Sequence, residues 1–217
     1  MREETIHAIE KEKLIVIVRG VSREHLIPLA EAIYEGGIRL MEITYDASGK
    51  TSDEETASRI ALLTEHFGDR MMIGAGTVLT ETQVTLTKSA GGRFVISPNT
   101  DMGVIWRTKL MDMVSIPGAL TPTEAQTAHL AGADFVKLFP LDAMGVGYLK
   151  AISAPLSHIQ FLAVGGIDEN NMGVYLNAGA KGFGIGSNIV KKEWILNGNY
   201  EAITALAKKY VGIIQGK

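Results

Sequence analysis

Residues 131–140 read Ala131-Gly132-Ala133-Asp134-Phe135-Val136-Lys137-Leu138-Phe139-Pro140. A glycine stands just past a helical pattern, where a left-handed C-cap is needed, and a short apolar strand follows. The same arrangement returns at Glu35-Gly36-Gly37-Ile38, Ala90-Gly91-Gly92-Arg93 and Ala178-Gly179-Ala180-Lys181. Working outward, strand patterns fall at Leu14–Val18, Arg39–Thr44, Met71–Thr77, Phe94–Ser97, Met113–Ile116, Phe135–Phe139, Phe161–Val164 and Gly182–Gly186. Helical patterns lie between them, at Arg23–Glu35, Ser52–Phe67, Glu81–Ala90, Asp101–Lys109, Thr123–Leu130, Gly147–Ala154, Glu169–Ala178 and Tyr200–Ile214. Strands alternating with helices predict βαβ units and a parallel sheet. Eight of them, spaced about 25 residues apart, predict an α/β protein with a (β/α)8 TIM barrel rather than an open doubly wound sheet. Met1–Lys13 reads as a short N-terminal amphipathic helix. No linker or composition shift divides the chain, so residues 1–217 are expected to form one domain.

Composition narrows the class of function. Of 217 residues, 46% are hydrophobic and 21% charged, which excludes general disorder. The net charge of −3 offers no electrostatic case for nucleic acid or an anionic membrane. There are no cysteines, which excludes disulfides, thiolate zinc sites and a cysteine nucleophile. No apolar run is long enough for a membrane span, and the charged start has no apolar signal region, so the expected location is cytoplasmic. Glycine is abundant, at 24 residues against the usual ~7%, which points to tight turns or backbone approaching a ligand closely.

In such a barrel, alternate strand residues point inward and the chemistry gathers at the C-terminal strand ends. Lys137 interrupts an otherwise apolar strand. Buried there, it would lose hydration and hence its charge, and a neutral amine attacks carbonyls to form Schiff bases. The plain alternative is an edge-strand lysine reaching out to water. Glu42, within Leu40-Met41-Glu42-Ile43-Thr44, could move protons inside the barrel or simply form a salt bridge. Arg19 ends strand one in register with Ile15 and Ile17, and could hold a carboxylate or phosphate, or a rim carboxylate of the protein itself. Gly165-Gly166 and Gly186-Ser187 follow strands seven and eight, where such barrels often bind phosphate through backbone N–H groups. Asp168 or Asn170 could cap the following helix. His7, His25, His66, His129 and His158 all fall in predicted helices or loops, which argues against a catalytic divalent metal.

Taken in order, Val16-Ile17-Val18-Arg19-Gly20, Glu42-Ile43-Thr44, Gly74-Ala75-Gly76-Thr77-Val78-Leu79, Ser97-Pro98-Asn99, Pro117-Gly118, Val136-Lys137-Leu138-Phe139-Pro140 and Gly165-Gly166-Ile167 resemble the class I 2-keto-3-deoxy-6-phosphogluconate (KDPG) and 4-hydroxy-2-oxoglutarate (KHG) aldolases. The resemblance runs through nearly the whole chain. It implies a metal-independent and cofactor-free lyase that cleaves a 2-keto-3-deoxy sugar acid phosphate to pyruvate and glyceraldehyde 3-phosphate. In that reading Lys137 is the Schiff-base lysine, Glu42 transfers protons, Thr77 and Pro98 line the pyruvate end, and Gly165, Gly166, Gly186 and Ser187 hold the phosphate. A homotrimer is also implied. One family branch carries an arginine four positions past the glutamate, where this chain has Asp46; another has one at the end of strand one, so Arg19 is expected to take the keto-acid carboxylate. Features shared with the galactonate-type relatives leave 2-keto-3-deoxy-6-phosphogalactonate and 4-hydroxy-2-oxoglutarate as alternative substrates. A phosphate-barrel isomerase and a non-catalytic sugar-phosphate-binding barrel are the rivals of other classes.

Overall fold

The computed structural model describes residues 1–216. Helix α1 (Arg2–Glu12) precedes β1 (Leu14–Val18), α2 (Arg23–Glu35), β2 (Leu40–Thr44), α3 (Asp53–Phe67), β3 (Met72–Gly76), α4 (Glu81–Ser89), β4 (Phe94–Ile96) and α5 (Met102–Leu110). There follow β5 (Val114–Ile116), β6 (Gly118–Ala119), α6 (Pro122–Leu130), β7 (Val136–Leu138), α7 (Gly145–Ser153), β8 (Phe161–Val164), α8 (Met172–Asn177), β9 (Gly182–Ile185), α9 (Lys192–Leu196) and α10 (Tyr200–Ile214). The four glycines expected past helices do adopt positive φ, at 95° (Gly37), 82° (Gly91), 98° (Gly132) and 101° (Gly179).

The strands form one parallel sheet in the order β5-β4-β3-β2-β1-β9-β8-β7-β6. Its two end strands are consecutive in the chain and separated only by Pro117. Proline has no N–H to give a ladder. The segment therefore bends: β5 pairs with β4, β6 pairs with β7, and the Pro117 carbonyl accepts from Lys137 N at 2.9 Å. Nine strands thus make the eight staves of a barrel, because the fifth is one bent stave in two pieces.

Two apolar cores lie on opposite faces of the sheet. Inward residues Ile15, Leu40, Phe94, Ile116, Phe135 and Leu162 fill the barrel, and Ile9 of α1 packs against them. Outward residues such as Val16, Met41, Ile73, Val136 and Phe183 pack under the helices. The N-terminal helix is therefore part of the barrel interior rather than an appendage. Among the described residues no helix is long and apolar enough to cross a membrane.

The chain departs from the expected helix limits in two places. Helix α8 starts at Met172, not Glu169, because the Asp168 carboxylate accepts from Asn170 N (2.8 Å) and Asn171 N (3.0 Å) and holds a turn there. Short helix α9 was not expected; five residues are too few to display a periodicity. Replacing Ile9 with alanine opens a cavity at the base of the barrel, so Ile9→Ala is expected to lower stability by about 2–5 kcal/mol in urea unfolding.

Candidate active site

Strand parity brings the two buried charges to the inner wall. Leu40 and Glu42 alternate inward on β2, as do Phe135 and Lys137 around β7. Glu42 lies opposite Ile17 on one side and Gly74 on the other; Lys137 lies between Gly118 and Leu162. Lys137 is 8% exposed and Glu42 2%. Lys137 sits on an interior strand flanked on both sides, so the edge-strand alternative fails.

Burial governs both charges. It lowers the Lys137 amine from its usual range, while Glu42 pulls it back up and Arg19 lowers it further. Burial raises the Glu42 carboxyl to about 7, against the opposing pull of Lys137 and Arg19. No direct ion pair joins the two side chains, and Glu42 Oε2 is buried without a hydrogen-bond partner. A structural salt bridge is thus not what keeps Glu42 in place. Space for it comes from β3: a Cβ on Gly76 would overlap the Glu42 carboxylate. That strand end was read as a motif in the sequence, but the need for a missing side chain there becomes visible only with Glu42 packed against it.

Above this layer lies a cavity of about 470 Å3, walled by Ile17, Arg19, Phe139, Gly165, Gly186 and Ser187, with Gly166 also at its edge. Two of its lining residues neighbour the buried charges: Ile17 is the register partner of Glu42, and the Phe139 ring centre is 4.5 Å from Lys137 Nζ. The four glycine-loop residues expected to hold an anion are therefore brought together with Arg19. Gly165 and Gly166 take successive left-handed conformations, φ 105° and 66°, and pack closely on Leu141 and Asp142. Asn188, which the sequence did not single out, lines the same cavity and donates to Ile167 O at 2.7 Å, tying the two glycine loops together. A lone asparagine in a loop carries no distinguishing pattern.

Thr77 and Pro98 lie on neighbouring clefts rather than in that cavity. Pro98 shares one of about 220 Å3 with Gly118 and Phe139. Thr77 shares another, of about 420 Å3, with Arg19, Thr44 and Asp46. Arg19 Nη2 donates to Thr77 Oγ1 at 3.2 Å. Among the described residues no carboxylate pairs with Arg19, which removes the rim salt bridge and leaves an unneutralised cation at the mouth. The Asp46 carboxylate instead accepts from Ser48 N (2.9 Å), Ser48 Oγ (2.6 Å) and Thr51 N (3.0 Å); the Ser48 hydrogen bonds lead in holding it below the usual range. Asp46 shapes its own loop. The histidines lie on helices or, for His158, in a loop, and His25 shares a cleft with Arg19 and Gly20 just past the end of β1.

The raised Glu42 carboxyl has a consequence for stability. Between its ordinary 4.5 and about 7, the folded chain keeps a proton that the unfolded chain releases, so stability falls as pH rises through that window. The loss amounts to ~3 kcal/mol. Glu42→Gln carries no such proton, and its unfolding free energy is expected to lose this pH slope between pH 4.5 and 7 when denaturation is followed across the range.

Comparison with known proteins places the chain among its relatives. Residues 5–206 match the family model "KDPG and KHG aldolase". A probable 2-dehydro-3-deoxy-6-phosphogalactonate aldolase of Rhizobium meliloti is 37% identical over 179 residues, 82% of each chain. The 2-dehydro-3-deoxy-6-phosphogalactonate aldolase of Escherichia coli is 32% identical over 94% of this chain and 98% of its own. A KDPG aldolase of Legionella pneumophila, solved with pyruvate captured as a covalent carbinolamine intermediate, superposes with a TM-score of 0.84 at 32% identity, over 94% of this chain and 96% of its own. Matched by the family model over nearly its whole length and more than 30% identical to relatives that it covers almost end to end, this protein belongs to the KDPG and KHG aldolase family.

Proposed function

We propose that this single-domain barrel is a Schiff-base aldolase cleaving a 2-keto-3-deoxy-6-phosphogluconate-type sugar acid to pyruvate and glyceraldehyde 3-phosphate. The observation that carries the reading is the Lys137 amine, buried in the barrel interior with its pKa lowered by desolvation, next to a cavity with an unpaired cation and two glycine loops. An amine in that state is a nucleophile.

The neutral amine attacks C2 of the keto acid, giving a carbinolamine that loses water to form an iminium. Glu42 takes the C4 hydroxyl proton, the C3–C4 bond breaks, and its electron pair moves to nitrogen as an enamine. Glyceraldehyde 3-phosphate leaves. Glu42 returns the proton to C3, and water releases pyruvate and the free lysine. A carboxyl near 7 suits both taking and returning the proton. The iminium is the electron sink, so no step calls on a metal or organic cofactor. Arg19, with Thr77 and Pro98, holds the pyruvate end. Backbone N–H groups at Gly165, Gly166, Gly186 and Ser187 hold the phosphate. The Legionella carbinolamine supports the first step by analogy.

A homotrimer in the cytoplasm completes the proposal. Met102, Trp106 and Leu110 recur every four residues on one face of α5, and Trp106 (54% exposed) and Leu110 (81%) present apolar area that a second copy would cover. Light scattering from the purified chain tests the stoichiometry.

Borohydride added with pyruvate is expected to fix a three-carbon adduct on Lys137, read by peptide mass spectrometry; an isomerase would give none. Pyruvate release measured on the gluconate, galactonate and hydroxyoxoglutarate substrates identifies the preferred one, and binding without release would mean a non-catalytic barrel. Glu42→Gln is expected to lower kcat about 10²–10⁴-fold and to remove the limb of the rate profile near pH 7.

A further inference from the structure

Of the chain's six phenylalanines, Phe67, Phe161 and Phe183 are buried in the core beneath the helices, and Phe94 and Phe135 inside the barrel. Phe139 is the sixth, and it is only half-buried. Its ring lines both the main cavity and the neighbouring cleft that holds Pro98 and Gly118. Strand geometry fixes what the ring meets. Lys137 and Phe139 stand two residues apart and so share a face at the end of β7. Phe139 N donates to Ala119 O at 3.1 Å, which carries the ladder past Leu138 and holds that parity. Lys137 Nζ consequently stands over the ring, 4.5 Å from its centre, within the range at which a cation is drawn to an aromatic face.

Iminium formation puts charge at this nitrogen. The neutral amine and the ketone together take up one proton and release water. The nitrogen, now doubly bonded to C2, carries a positive charge that it lacked at the start. Arg19 opposes positive charge there. Glu42 favours it, but its carboxyl is raised to about 7, it exchanges protons during the cycle, and no direct ion pair joins it to Lys137. A carboxylate in contact with the amine would also keep it protonated and unreactive. An aromatic face attracts a cation and accepts no proton.

We propose that Phe139 is a catalytic residue: its ring face stabilises the positive charge that the Lys137 nitrogen gains as the iminium forms. This rests on the reading in which Lys137 forms that iminium. The ring attracts ammonium and iminium alike, so it favours the iminium over the free enzyme only where the resting amine is neutral. The lysine's own titration therefore sets the pH at which the benefit appears, a dependence that packing of the ring against the cavity would not produce.

The test replaces Phe139 with mono-, di- and trifluorophenylalanine, which drain negative charge from the ring face and hardly alter its shape. The quantity read is the pyruvate concentration giving half-maximal borohydride trapping at Lys137, followed across pH. Above the pH at which the amine loses its proton, that concentration is expected to rise with each fluorine, to about tenfold for the trifluoro ring. Below that pH the rise is expected to shrink to less than about twofold, because ammonium and iminium then lose the same attraction. A fluorine series that leaves trapping unchanged, or that alters it equally at every pH, overturns the inference. Wild-type protein that is never trapped would sink the aldolase reading itself, an outcome separate from a flat series.

Discussion

Removal of water from the upper interior layer of the barrel sets the chemistry. Lys137 and Glu42 both sit there, nearly inaccessible, with no direct ion pair between them. Burial therefore outweighs the attraction between the two charges. It moves the amine down and the carboxyl up, toward each other. A lysine with a well-placed carboxylate partner would keep its proton and be a poor nucleophile. The gap between the two is what permits a keto acid to react with one and exchange protons with the other.

That gap depends on backbone lacking side chains. Glu42 has room because Gly76 has no Cβ, and Gly74 makes similar room for the Phe94 ring. The same economy of side chains operates at the far end of the cavity, where Gly165 and Gly166 turn left-handed against Asp142 and Asn188 ties their loop to the next. Below, the apolar plug of Phe94, Phe135, Leu40 and Ile9 closes the barrel to water from the other side. The N-terminal helix thus contributes to the dryness of a site at the opposite mouth.

Much of the site could be read from the chain because side chains in a strand alternate with a period of two. Parity alone grouped Glu42 with Leu40, Lys137 with Phe135 and Arg19 with Ile15, the packing of those partners then showed which series faces inward, and strand ends marked the glycine loops. Asp46 shows where that reading stops. Its identity announced a missing arginine, but its hydrogen bonds to Ser48 and Thr51 depend on how one loop folds back on itself. Thr77 is similar: a threonine at a strand end gives no sign of a positive φ, since neighbouring strands impose it.

The amino-acid sequence by itself determined the alternation of strand and helix, the left-handed helix ends and which strand residues share a face with the two charged ones, because these follow from local periodicity and from glycine's lack of a Cβ. Only the tertiary structure decided that β5 and β6 close the barrel around Pro117, that Arg19 finds a threonine and no carboxylate, and that Glu42 and Lys137 stay apart. Those outcomes turn on distances between residues far apart in the chain, and on how much water the folded barrel excludes, neither of which a local pattern encodes.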